Sequence, residues 1–355
     1  MDHDPSTTPI PIILDVDTGI DDSLALLYAA ASPEADLVAV TCVSGNIDAH
    51  QVGINTRAVL ELAGRTDVEV AMGRPTPLIR PLETTPETHG PQGLGYAELP
   101  APSRPLSDRH AVDLILDEAR RRPGEITLVT LGPLTNLAIA VLREPELPRL
   151  LKGYALMGGA FGTSGNTTPT TEWNIHCDPD AAKIVFRAWA DAIANDPTVP
   201  RPLALGLNVT ERARIGTDEV VRLARRAGST PDESLGDDGD GRSQASNPIV
   251  RYVADALRFY FEFHAQYDGF YGAFIHDPLA VAAALDRSLV SSQALHVDVE
   301  TRGELTTGMT VADPRGLTGQ PPNLDVVTDA DIPAFLDRLV ERIGGLAADH
   351  PDVAT

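Results

Sequence analysis

The chain has 355 residues, and 51 acidic against 28 basic side chains give a formal net charge of −23. That balance argues against nucleic acid or an anionic membrane as a partner, because both select a basic face. With 43% hydrophobic and 22% charged residues the composition supports a large globular core, and no apolar run has the length of a membrane span.

Residues 1–9 read as a polar tail without the basic region or cleavage site of a signal peptide, so the expected location is the cytoplasm. Cys42 and Cys177 lie far apart, with no spacing suited to zinc. Lys152 and Lys183 are the only lysines, which leaves few candidates for Schiff-base or P-loop chemistry.

Short apolar runs then alternate with segments of helical period, the pattern of βα units around a mostly parallel sheet. Residues 10–16 read as a buried strand, followed by a helix carrying Leu24, Leu27 and Tyr28 on one face. A strand over 37–43, a helix over 50–63 and a short strand over 68–71 come next. The stretch 74–107 is rich in Pro, Gly and Thr and too long for a plain connection, so it reads as a functional loop or lid. Order returns with a helix over 111–121, a strand over 126–130, a helix over 134–142 and a strand over 154–157. A polar loop over 163–171 precedes Glu172-x-Asn174, whose spacing places both side chains on one side of an extended segment. Asp178-Pro179 opens a helix to about residue 190, and a strand over 203–207 follows. Residues 227–247 are loaded with Gly, Ser and Asp and read as an acidic surface insertion. A helix over 249–266, an aromatic turn, an apolar helix opened by His276-Asp277-Pro278, further strands and a last helix complete a single domain over 10–345. Residues 346–355 read as a tail.

The most informative segment is Asp15-Val16-Asp17-Thr18-Gly19-Ile20-Asp21-Asp22, four carboxylates at the C-terminal end of the first strand. Ligands bind at that end in open α/β sheets. Carboxylates gathered so closely repel unless a cation or protons share the site, and a hard oxygen-liganded ion, Ca²⁺ or Mg²⁺, suits them. A capping box from Thr18 and Asp21 would account for one or two of the acids, but not for Asp15 and Asp17. The same Asp-x-Asp-x-Thr pattern fits a phosphatase of the haloacid dehalogenase type, with Asp15 as nucleophile and Asp17 as acid/base on Mg²⁺.

Residues 15–22 also resemble the amino-terminal signature of the inosine-uridine nucleoside hydrolases. Ser44-Gly45-Asn46, His89-Gly90, Leu131-Gly132-Pro133-Leu134-Thr135-Asn136, Met157-Gly158-Gly159, Asn166, Glu172-Trp173-Asn174 and His276-Asp277-Pro278 agree with that family in order, over about residues 10–340. The resemblance implies one α/β domain with a Rossmann-like open sheet flanked by helices, a Ca²⁺ ion in the active site, and hydrolysis of the N-glycosidic bond of ribonucleosides. It implies Asp17, Asp22, the Leu131 carbonyl and Asp277 as metal ligands, with Asp15 supporting them. Asp17, His276 and Asn174 would form the catalytic group. Asp21, Asn46, His89, Met157, Asn166, Glu172, Asn174, Tyr267 and Tyr271 would contact substrate. A homodimer or homotetramer is common in that family.

The chemistry has its own logic. Cleavage of the C1′–N bond passes through an oxocarbenium-like sugar, so the site must supply an activated water, negative surroundings and help for the departing base. Asp17 is the expected general base, and His276 is expected to donate a proton near neutral pH. A nucleoside-binding protein without turnover is the third reading.

Overall fold

Strand β1 (Ile10–Val16) sends Ile12, Leu14 and Val16 into one hydrophobic cluster and Ile13 into another. A strand whose alternate side chains are both apolar must sit in the middle of a sheet covered on both faces, and that is its place in the structure. The computed structural model describes residues 8–229 and 242–350. The chain continues through α1 (Ile20–Ala31), β2 (Ala35–Cys42), α2 (Ala49–Leu62), β3 (Glu69–Met72), α3 (Pro86–His89), α4 (Ala111–Arg121), β4 (Thr127–Thr130), α5 (Thr135–Arg143), α6 (Leu147–Leu150) and β5 (Gly153–Met157). The second half adds α7 (Trp173–Cys177), α8 (Pro179–Asn195), β6 (Leu203–Leu205), α9 (Leu207–Thr210), β7 (Arg214–Ile215), α10 (Thr217–Arg226), α11 (Pro248–Tyr267), β8 (Ala273–Phe274), α12 (His276–Leu285), β9 (Val290–Val299), β10 (Thr310–Asp313), β11 (Leu324–Ala330) and α13 (Ile332–Asp349).

Nine strands form one sheet in the order β10-β9-β11-β6-β5-β4-β1-β2-β3. The run from β11 to β3 is parallel, and β9 and β10 add an antiparallel edge. The chain winds outward from β1 through β2 to β3, then returns to lay β4 on the other side of β1. Between β1 and β4 the connections diverge, which opens a crevice at their C-terminal ends. One cluster packs α1, α2 and α10–α13 on one face, and the other packs α4, α5, α6 and α8 on the opposite face.

Several elements differ from the sequence-based expectations. Residues 173–177 are helical rather than extended, because the Glu172 carboxylate accepts the Asn174 and Ile175 N–H groups and caps the turn. Glutamate is an uncommon N-cap, so the usual start signal is absent from the sequence. The strand expected over 203–207 stops at Leu205, where Gly206 caps α9. The helix opened by Asp178 runs on to Asn195, and α13 continues to Asp349, past the expected domain end at 345. In the expected loop 74–107, α3 brings His89 inward. Of the acidic insertion, residues 230–241 lie outside the described residues.

Asn136, at the start of α5, joins the strand ends. Its Nδ2 donates to Asp15 Oδ1 (2.9 Å) and to the Cys42 carbonyl (3.0 Å), and its Oδ1 accepts the Arg74 N–H (2.9 Å). The bonds to Asp15 and Cys42 are buried, so Asn136→Ala leaves polar groups without partners and should destabilise the fold by about 2 to 3 kcal/mol. Denaturant unfolding with an unchanged m-value would measure it; a loss under about 0.5 kcal/mol would be inconsistent with this role.

Candidate active site

The crevice between β1 and β4 deepens into a cavity of about 590 Å³. Its floor is acidic. Asp17 follows β1 directly, and the turn at Gly19 starts α1 so that Asp21 and Asp22 fall in the helix's first turn. Asp277 arrives from the first turn of α12. Oxygens of Asp21, Asp22 and Asp277 lie within 4.8 Å of one another, and all three residues are buried.

The backbone holds these acids in place. Asp22 accepts the N–H groups of Asp17 (3.2 Å) and Gly19 (3.0 Å), while the Asn46 side chain donates to it at 3.1 Å. Asp17 Oδ2 accepts the Asn46 N–H at 2.8 Å, but its Oδ1 is buried without a protein partner. The chain comes very near this carboxylate on two sides. A Cβ on Gly45 would fall 2.1 Å from Asp17 Oδ2, and one on Gly132 would fall 2.6 Å from Oδ1.

Burial raises the pKa of every acid in the group. Asp17 and Asp277 are pushed well above the ordinary carboxylate range by desolvation and by each other's neighbouring carboxylates. Asp21 is pushed up to about 8 by burial and then by Asp22, and Asp22 is raised by burial. Asp15 reaches about 7 through burial alone, opposed by hydrogen bonds from Thr41 (2.6 Å) and Asn136. Such a cluster holds protons or a cation. The donors of Asp21, Asp22 and Asp277 are all oxygens, so this group fits a hard divalent metal; Asp17, expected as a ligand, is not one of the three, and its Oδ1 has no partner among the described residues.

Around this floor the sequence-predicted residues divide. Asp21, Asn46, His89, Leu131, Met157, Asn166, Glu172, Asn174, Tyr267, His276 and Asp277 line the cavity. Asn174 Nδ2 donates to the Leu131 carbonyl (2.6 Å) and lies 3.4 Å from the Met157 sulfur. Glu172 spends its carboxylate on the N–H groups of Gly159, Asn174 and Ile175, so it shapes the wall as a cap. Asn166, in an exposed loop, accepts the Trp173 N–H at 3.0 Å. Tyr271 is not brought to the cavity. It packs edge-on against Phe261 at 5.4 Å, while Phe274 lines the cavity. Asp15 lies behind the floor, fully buried.

Three histidines stand at the other end. His89 Nδ1 accepts the Ile20 N–H (3.1 Å) at the start of α1, and burial lowers its pKa to about 3, so the neutral ring carries its proton on Nε2. His276 Nδ1 is 2.8 Å from the Thr210 hydroxyl. Burial, then His264 and His89, lower its pKa to about 3. The ring is therefore neutral at pH 7, where the sequence suggested an imidazole titrating near neutrality. His264, with Tyr260, Phe263 and Phe274, was missed. The signal was present: residues 260, 263, 264 and 267 recur at helical spacing on α11, within a run so aromatic that no single face stood out.

An acidic, oxygen-rich floor beside an aromatic, histidine-bearing end suits a sugar joined to a flat base. Comparison with known proteins agrees. The family described as inosine-uridine preferring nucleoside hydrolase matches residues 12–337. The chain is 38% identical over 335 residues to the pyrimidine-specific ribonucleoside hydrolase RihA of Salmonella arizonae, covering 94% of this chain and 98% of that protein. It is 37% identical over 340 residues to RihA of Citrobacter koseri, covering 96% and 99%. Among solved structures, the purine-preferring ribonucleoside hydrolase of Gardnerella vaginalis superposes with a TM-score of 0.83 at 31% identity, over 96% of this chain and 99% of that one. With the fold, the floor and these relatives in agreement, the chain belongs to the inosine-uridine preferring nucleoside hydrolase family and is a hydrolase of N-glycosyl bonds.

Proposed function

We propose that this hydrolase depends on Ca²⁺, releases free nucleobase and ribose from ribonucleosides, and serves nucleoside salvage in the cytoplasm as a homodimer or homotetramer. The observation that carries the metal reading is the gathering of buried Asp21, Asp22 and Asp277 oxygens within 4.8 Å of one another. Asp17, Asp22, Asp277 and the Leu131 carbonyl would hold the ion, with Asp21 at its edge. When bound, Ca²⁺ would supply a Lewis acid that neutralises these acids and lowers the pKa of a water.

The chain's own groups do the rest. Asp17 takes the proton of the attacking water as that water's oxygen bonds to C1′. The C1′–N pair leaves with the base, and the negative floor stabilises the cationic sugar between the two events. Asp21, Asn46, Asn166, Glu172 and Asn174 contact the ribose, and Met157 lies beneath it. With the Thr210 hydroxyl donating to Nδ1, His276 carries its proton on Nε2 and offers it to the departing base. His89 presents a second Nε2–H donor.

The phosphatase reading requires Asp15 as nucleophile, but Asp15 Oδ1 is held by Thr41 and Asn136, and the family match is to nucleoside hydrolases. Reducing-sugar release from inosine, uridine, cytidine and adenosine, with Ca²⁺ and with chelator, tests the proposal. Chelator-sensitive release supports it; tight binding of a nucleoside without turnover in the Ca²⁺-loaded protein would favour a binding role.

Two further outcomes are expected. Asp17→Ala should abolish turnover and weaken Ca²⁺ binding, whereas His276→Ala should lower kcat by about 100-fold or more with Ca²⁺ still bound; equal metal content and rate in Asp17→Ala would refute the site. The second concerns pH. Asp15 and Asp21 sit near 7 and 8 in the folded chain against an ordinary 3.8, so the metal-free fold binds more protons than the unfolded chain between about pH 4 and 8. Its stability therefore falls as pH rises across that window. Ca²⁺ should remove most of this slope and raise Tm most at pH 8. A Tm in chelator that does not change from pH 5 to 8 would contradict the assignment.

A further inference from the structure

His264 lies one helical turn before Asp268, and the two residues line the aromatic end of the cavity. Its Nδ1 is 2.7 Å from Asp268 Oδ2, while Nε2 is buried without a protein partner. The ring is boxed by Tyr260 (4.7 Å), Phe270 (5.5 Å, stacked) and Phe274 (4.9 Å, edge-on). Burial lowers its pKa against the opposing pull of Asp268, and Arg214, lying over Phe270 and Phe274, lowers it further, which favours the neutral ring. A carboxylate can only accept, so the single ring proton sits on Nδ1. Nε2 is then a bare lone pair, fixed in position and buried, which is costly unless something donates to it.

Nothing in the proposed chemistry uses this lone pair. The hydrolytic groups gather at Asp17 and His276, and the ribose contacts lie on the floor. What remains at this end is the nucleobase. His89, across Tyr260 (ring centroids 5.4 Å apart), presents the opposite polarity, an Nε2–H donor. A donor and an acceptor on either side of an aromatic shelf match the edge of a base, where a ring N–H or amino group adjoins a carbonyl or a bare nitrogen.

We propose that His264 reads the nucleobase edge as a hydrogen-bond acceptor, and that Asp268 is the positioning residue that fixes its tautomer. This rests on the reading of the cavity as a nucleoside site. Uracil and cytosine present opposite polarity at positions 3 and 4, as hypoxanthine and adenine do at 1 and 6. An acceptor of fixed polarity therefore separates the two members of each pair.

The test is kcat/KM for uridine against cytidine and inosine against adenosine, using the full-length Ca²⁺-loaded protein. Phe fits the aromatic box, so His264→Phe should fold. Wild type should discriminate by about tenfold or more within at least one pair. His264→Phe should collapse that ratio towards one, and Asp268→Ala should narrow it by freeing the tautomer. ¹⁵N NMR of histidine-labelled protein should place the wild-type His264 proton on Nδ1 and show a mixture in Asp268→Ala. Ratios unchanged in His264→Phe, or a wild type that does not discriminate within either pair, would overturn base reading. A wild-type proton on Nε2 would overturn the role of Asp268. Absence of turnover with every nucleoside in the wild type would instead strike the hydrolase reading itself.

Discussion

Four carboxylates placed out of water at one point are the constraint on which the rest of this structure depends. Asp17, Asp21, Asp22 and Asp277 are each buried, which raises the cost of ionising every one of them, and Asp21 and Asp22 raise it further for Asp17 and Asp277. A fold can keep such a group only by surrounding it with donors and leaving room for a counter-charge. The sheet meets the first need. Strand ends and helix starts deliver backbone N–H groups from Asp17, Gly19 and Asn46 to the same few oxygens. The second need is left open at Asp17 Oδ1, where a carboxylate oxygen remains that no group of the described chain satisfies.

The topology makes this economical. Asp17, Asp21 and Asp22 come from the single β1–α1 turn, so one local conformation sets three of the four acids. The fourth comes from α12, which packs on α1 across the C-terminal end of the sheet. Neighbouring strand ends add the walls: Gly45 and Asn46 after β2, Leu131 and Gly132 after β4, Met157 at the end of β5. Asn136 and Asp15 act one layer down, tying β1, β2 and α5 together beneath the floor. A change there would reach the reacting atoms through the position of Asp17 and not through contact with substrate.

How much of this was legible in the sequence follows from how local each signal is. The β1–α1 turn was readable because its acids and glycine are adjacent in the chain, and the core strands were readable because they are unbroken apolar runs. The helix at Trp173–Cys177 was not, since its cap is a glutamate whose carboxylate turns back on three backbone N–H groups. The state of His276 was not either. An imidazole's ordinary pKa says nothing of the burial and the two nearby histidines that hold this one neutral. Tyr271 was misplaced for a related reason: in an aromatic turn, which rings face inward is decided by packing on α11, and the sequence does not record it.

The two ends of the cavity thus answer to different physics. At the acidic end, charge is concentrated and most of the donors are backbone atoms, so few substitutions of side chains can alter it without disturbing the strand ends themselves. The base end is built from side chains on α11, the turn after it and the two-stranded sheet of β7 and β8. There the polarity of a ring nitrogen is set by the Ile20 backbone N–H for His89 and by the Asp268 carboxylate for His264, while the Thr210 hydroxyl beside His276 can donate or accept. Only the first of these partners is backbone. A neutral imidazole reverses the polarity of its free nitrogen when its other nitrogen exchanges a donor for an acceptor. A single side-chain change behind the ring can therefore alter which hydrogen-bonding partner that end of the cavity accepts, while the acids at the other end stay where the sheet puts them.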